Sequence, residues 1–319
     1  MSAATLSVGS TAVVCRSTVA ELVRAEIRFT LRSPLLWLGA AVYGGTAVLP
    51  EFTGQTASDS SNDLYMTYQF TSGALALAAF LVAVWAAARE RPATTTELFA
   101  NTPARRWERT VGLLGAVVVP FAMALVIGCV QLVVIQARGG IAVGHEPWQV
   151  DLVPTPLELL GAPLAVACSF VAGVTVVRLV RSRAVSALLG VVGAAFLFLF
   201  FWLWYVVPFA LFAVYRTALT SQELTGEPTD AELSRFAAAS LPDEYTTTFS
   251  GIDRDLAFYG LHLLFVVGLT VLLAGIALLR SGADRRSWRV LAVGLLVAVV
   301  AVGAQLVWVD GATDWMGIL

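Results

Sequence analysis

Apolar residues gather into seven runs along this chain, at about 35–50, 68–88, 111–137, 157–177, 185–207, 256–279 and 290–309, with polar connectors between them. At 1.5 Å rise per residue, runs of about twenty can cross roughly 30 Å of hydrocarbon as helices. The pattern predicts an all-α polytopic membrane protein. The first run is the shortest, bounded by Pro34 and Pro50, and its spacings Ala40–Gly44 and Ala41–Gly45 permit close approach of another helix. The fifth stays apolar to Tyr215, longer than a bilayer needs, and Pro208 offers a break between a span and a short interfacial helix.

Two segments outside the runs also repeat at helical spacing. In Ser17–Pro34, Val19, Leu22, Val23, Ile27 and Leu31 share one side, and Arg24, Arg28 and Arg32 share the other. This predicts a helix along the membrane surface, turned into the bilayer at Pro34. Glu26 points into its apolar face and calls for a partner group, a tilted helix or a snorkelling position. In the connector 216–255, Thr229 and Glu232 have capping-box spacing. Leu233, Phe236, Ala237, Ser240 and Leu241 follow at helical intervals until Pro242, which predicts a helix in a structured connector.

Composition supports the membrane assignment. A mean hydropathy of +0.80 with 13% charged residues leaves too little polar surface for a soluble domain of 319 residues. The net charge of −2 conceals an asymmetry, because all 20 basic residues are arginines and sixteen lie in 1–34, 89–110, 178–184 and 280–289. The alternate connectors hold only Arg138, Arg216, Arg235 and Arg254. By the positive-inside rule the N-terminus is cytoplasmic and the C-terminus outside, and an odd number of spans preserves the alternation. Residues 1–18 lack a signal-peptide layout. The expected location is a cell membrane, bacterial, with several passes.

Chemistry-bearing residues are sparse. Of the two histidines, His145 and His262, neither belongs to an HExxH motif, and His262 lies one turn from Tyr259, where a structural role is expected. Cys15, Cys129 and Cys168 form no framework, and no GxSxG occurs. Carboxylates are missing from the middles of the runs, whose interior polar groups include Gln131, Ser169, Thr175 and Gln305. That disfavours a membrane enzyme and an ion-coupled carrier. A Walker A loop needs a lysine, and this chain has none. ATP, if used, is hydrolysed by another polypeptide.

The connector between the second and third runs, "TTTELFANTPARRWERT", is more than a charged loop. Thr94 and Glu97 have capping-box spacing, and the short helix they predict presents Leu98 and Phe99. Thr102 can cap a following helix with Pro103 in its first turn, and Arg105, Arg106 and Arg109 line the start of the third run. An exposed apolar pair on a rigid protrusion suggests docking, and its burial would contribute on the order of 3–5 kcal/mol before association costs.

Together, "ELVRAEIRFTLRSPLLW" before the first run, "TTTELFANTPARRWERTVGLLGA" between the second and third, and the structured segment 208–255 resemble the permease subunits of type-2 ABC exporters. The first stretch matches the family's elbow helix, with Glu26, Arg24, Arg28 and Arg32, and the second its coupling helix at about 94–103. The resemblance implies an elbow region at 1–34, a six-span core at 35–279, and an addition at 280–319 comprising a connector, a seventh span and an outer tail. It implies a second permease copy or paralogue, membrane lipid, and a separate ABC ATPase subunit that binds the ATP and Mg; this chain would itself hold no cofactor and bind no nucleic acid. Glu97, Leu98 and Phe99 would contact the ATPase, with Arg105, Arg106 and Arg109 at the groove rim or on lipid phosphates. In the aromatic fifth run, Phe201, Trp204 and Tyr205 are candidates for a path taken by a hydrophobic or amphipathic substrate, although aromatic residues also belt membrane interfaces. Two rivals are a non-transporting membrane anchor or regulator of an ATPase, and a membrane enzyme using His262 or the Asp253–Asp255 region.

Overall fold

The computed structural model describes residues 8–53, 71–89, 104–143, 150–180, 182–204, 220–225, 237–238, 248–253, 256–282 and 284–309. Every apolar run carries helix: α1 (Val8–Leu31) precedes the first run, followed by α2 (Pro34–Thr53), α3 (Gly73–Ala88), α4 (Arg106–Gly115), α5 (Val118–Ala137), α6 (Gly161–Leu179), α7 (Arg183–Trp204), α8 (Leu256–Ser281) and α9 (Arg285–Val309). A 3-10 turn, Glu158–Leu160, leads into α6. Among the described residues, four stretches are long and apolar enough to cross a membrane: Arg106–Ala137, Glu158–Leu179, Tyr259–Ser281 and Arg285–Val307. Pro34–Leu49, Gly73–Ala88 and Ala184–Gly193 are shorter apolar helices. The arrangement is that of a multi-pass membrane protein.

The core is centred on α3, for a reason visible in its composition. Its sequence, GALALAAFLVAVWAAA, has small side chains on several sides, so neighbours can approach from more than one direction. Leu75, Ala79, Ala83, Val84 and Ala87 are fully buried. A Cβ added to Gly39 of α2 would meet the Ala78 Cβ at 2.5 Å. One added to Gly173 of α6 would meet the Phe80 carbonyl at 2.5 Å, and Gly190 of α7 lies against the Phe80 ring. The close approach of the first run therefore uses Gly39. The spacings Ala40–Gly44 and Ala41–Gly45 do not provide it, because a Cβ on Gly44 would meet open space and one on Gly45 only its own helix's Leu49.

The third run departs from a single helix. It breaks between α4 and α5, where Ala116 N–H donates to Leu113 C=O (3.1 Å), Val117 to Leu114 (3.2 Å) and Val119 to Ala116 (3.0 Å). Pro120 is the cause: it has no N–H to return to Ala116 C=O, and its ring crowds that carbonyl. Tighter three-residue bonds take over for one turn.

The seventh run packs on the sixth. Gly268 of α8 faces Ala298 of α9, Gly275 faces Leu291, and Gly294 of α9 faces Leu272, all closer than a side chain would permit. Cys168 of α6 joins Phe265, Val266, Ala298 and Ala301 in a small apolar cluster. Across the α6–α8 seam, Thr175 Oγ1 donates to the Leu273 carbonyl at 2.9 Å.

The connectors are not wholly helical. Strands β1 (Ile141–Val143) and β2 (Val150–Leu152) pair antiparallel. In the connector after α7, β3 (Thr220–Thr225), β4 (Ala237–Ala238) and β5 (Thr248–Asp253) form an antiparallel sheet in the order β3–β5–β4. The helix expected at Thr229–Leu241 does not run through Ala237, which pairs with Ile252. There pairing with the distant strand β5 overrides the local helical spacing. Thr229–Phe236 and Pro208 lie outside the described residues.

Candidate functional site

The candidate site is the arginine-rich end of the bundle, where α1, the end of α3, α4 and the end of α8 converge. Helix α1 extends further than expected, starting at Val8, and part of its apolar side packs on α4. A Cβ on Gly112 of α4 would lie 2.9 Å from the Leu22 Cβ, and one on Gly115 would lie 2.8 Å from Val23 Cγ2. Two glycines one turn apart open a groove on α4, and Leu22 and Val23 fill it. Arg24, Arg28 and Arg32 are exposed, as the periodicity requires, and Leu31 is exposed beside them.

Glu26 has a partner. Its carboxylate accepts from Arg89 Nη2 at 2.5 Å, and the Arg89 guanidinium carbon sits 3.6 Å from the centroid of the Phe29 ring. Arg89 Nε donates to the Ala86 carbonyl at 3.3 Å, closing the last turn of α3. One side chain thus ends a helix, pairs a carboxylate and stacks on an aromatic face, which suits the flat guanidinium group. Periodicity identified Glu26 as an exception; Phe29 and Arg89 gave no comparable signal because the pairing spans 63 residues.

Helix α4 begins later than Thr102 and Pro103 suggested. Ala104 and Arg105 are not helical, and Arg105 N–H donates to the buried Glu108 carboxylate at 2.6 Å. The start is therefore set by Glu108 reaching back three residues to the preceding N–H, half of a capping box. Arg105 and Arg106 are exposed and Arg109 is half-buried. One turn on, the Thr110 and Ser281 hydroxyls are 2.7 Å apart, and Gly282 packs against Trp107. Thus α4 is fastened to α1 on one side and to the end of α8 on the other. Glu97, Leu98 and Phe99, with Thr94, Thr102 and Pro103, lie outside the described residues.

Further polar groups sit toward the opposite end. Glu158, 1% exposed, accepts from Thr155 N–H (2.5 Å) and Oγ1 (2.9 Å), and its backbone carbonyl accepts from the Tyr259 hydroxyl at 2.8 Å. His262 and Gln305 are both fully buried, with Nδ1 and Oε1 3.3 Å apart. Gln305 Nε2 donates to Ala301 C=O, which leaves Oε1 toward the ring and makes Nδ1 the donor. His262 is thereby a side chain joining α8 to α9. Among the described residues, no group of three or more His, Cys, Asp or Glu could hold a metal ion. Phe201 and Trp204 fall in the last turn of α7, and Tyr205 lies outside the described residues, as do Asp255 and the side chain of Asp253. In comparisons with known proteins, no family model and no curated protein matches this chain.

Proposed function

We propose that this chain is the permease subunit of an ATP-driven type-2 ABC exporter, working with a second permease and with separate ATPase subunits. In this reading the protein spans the cell membrane seven times, with the N-terminus and the arginine-rich connectors inside and the C-terminus outside. The observation that carries the proposal is the bridging role of α1: it packs on the base of α4 through Gly112 and Gly115 and pairs with Arg89 at the end of α3. The connector bearing Glu97, Leu98 and Phe99 leaves from one of these anchored ends and returns to the other. A force applied there by an ATPase would reach both helices through their contacts with α1.

Substrate would pass outward by alternating access, and the aromatic stretch including Phe201, Trp204 and Tyr205 would suit a hydrophobic or amphipathic compound. Rigid contacts at the base, together with the break at Pro120, would let α4 tilt while α5 keeps its packing. Co-expression with the ATPase subunits encoded in the same genome tests the proposal. Recovery of a stable complex whose ATP turnover rises on reconstitution, with accumulation of a fluorescent amphipath in inverted vesicles, supports it. A complex that binds but moves nothing would favour a non-transporting ATPase anchor.

A further inference from the structure

Helix α1 makes two joints of different character. The joint to α4 is apolar and tight, because Gly112 and Gly115 admit Leu22 and Val23 against the backbone. The joint to α3 includes a charged contact, its side chains 38% (Arg89) and 21% (Glu26) exposed, beside Ile27 and Phe29, which pack on the core cluster that holds the end of α3. Glu26 and Phe29 stand three residues apart, on one face of α1, so both reach the same guanidinium. With Ala86 C=O also accepting from it, the fork of Arg89 is held in one direction. Partial exposure keeps the pair modest in strength, so it can form and release while the apolar joint persists.

Resting on the permease reading above, we infer that Glu26 is a positioning residue for the transfer of ATPase motion: through Arg89 it ties the end of α3 to α1, which already carries α4. With the pair closed, the two helix ends flanking the connector move as one body. With it open, α4 moves with α1, and the end of α3 follows less closely.

The test is a double-mutant cycle of Glu26→Gln and Arg89→Gln in the full chain, held in lipid nanodiscs. Amide hydrogen exchange over residues 22–30 and 84–89 reports the joint, and stimulated ATP turnover is read with the ATPase recovered with the wild-type chain. Each single variant is expected to raise exchange in these segments about three- to fivefold, with the double variant no worse than either single. Exchange in α6 and α8 should not change. ATP turnover should fall about threefold or more while the ATPase still binds. Unchanged exchange, or strictly additive effects, would overturn the inference by showing that the two residues do not act as a pair. A non-additive exchange effect with normal ATP turnover would also overturn it, reducing the pair to a structural contact. If the wild-type chain stimulates no ATPase, the permease reading itself fails and the positioning role fails with it, even where the exchange cycle shows the pair intact.

Discussion

The Thr110 hydroxyl lies 2.7 Å from the Ser281 hydroxyl, both residues buried, and this contact joins the base of α4 to the last turn of α8. Each oxygen also lies within hydrogen-bond reach of its own helix, Thr110 of Arg106 C=O (3.1 Å) and Ser281 of Ala277 C=O (2.8 Å). Two hydroxyl protons therefore serve three acceptors, and the pair is satisfied whichever hydroxyl donates. Ser281→Ala should cost about 1–2 kcal/mol by leaving Thr110 with only its backbone partner. Thr110→Val combined with Ser281→Ala should cost less than the sum of the single changes. Unfolding titrations in mixed detergent micelles measure this cycle.

The seam between α8 and α9 makes a sharper prediction. Gly294→Leu would drive a side chain into the α8 backbone at Leu272, whereas Gly44→Ala adds a methyl group to open space. The first should destabilise by about 3 kcal/mol or more and loosen α9, while the second should stay within about 0.5 kcal/mol of wild type. Melting temperatures of the two purified variants, compared side by side, check the contrast.

His262 separates a structural role from a chemical one. Gln305→Leu should leave the His262 donor without its acceptor and cost about 1–3 kcal/mol. His262→Phe paired with Gln305→Leu should recover part of that loss by making the seam apolar. Transport that survives in the double variant would show that the imidazole takes no chemical part in it, while its complete loss in a well-folded double variant would show that the imidazole is needed for transport.

Asp284 gives the pH dependence. Its carboxylate accepts from Ser287 Oγ (2.7 Å) and Ser287 N–H (2.7 Å) at the start of α9, and these bonds, the hydroxyl first, lower its pKa below the ordinary 3.8. A group depressed in the folded state contributes its full stabilisation above the unfolded value and loses it as pH falls through the folded value. The first turn of α9 should therefore hold at neutral pH and fray only at pH below about 3.8. Asp284→Asn, which caps without titrating, should remove the transition. The Ser287 amide shift, followed by NMR against pH, reports both.

Much of the architecture was legible in the pattern of residues. Each apolar run carries a helix, because a lipid environment leaves the backbone little alternative to bonding within its own segment. The arginine face of α1 and the anomaly of Glu26 followed from 3.6-residue periodicity, which is a local property. What periodicity could not supply was the partner: Arg89 reaches Glu26 through tertiary packing. The break at Pro120 is not evident from the apolar pattern, because proline inside an apolar run is tolerated in membrane helices. Among the small residues of the first run, Gly39 makes the close approach rather than Gly44 or Gly45, since small-residue spacing marks where helices can approach and the orientation of α2 decides where they do. The strand at Ala237–Ala238 shows helical spacing yielding to pairing with a distant segment. Of the candidate site, the arginines of α1 and α4 were identified from their spacing, whereas Phe29, Glu108, Thr110 and Ser281 emerge only from the fold.

In the proposed permease, an ATPase docks on Leu98 and Phe99 and drives the helices through α1 and α4. Leu98→Ala combined with Phe99→Ala removes apolar surface equivalent to about 3 kcal/mol or more, on the order of a hundredfold in affinity. Purified wild-type and double-variant chains, reconstituted with the recovered ATPase in lipid vesicles, are compared for stimulated ATP turnover. Stimulation should disappear in the double variant while insertion and melting temperature stay unchanged. Equal stimulation by both chains would rule out docking on this pair.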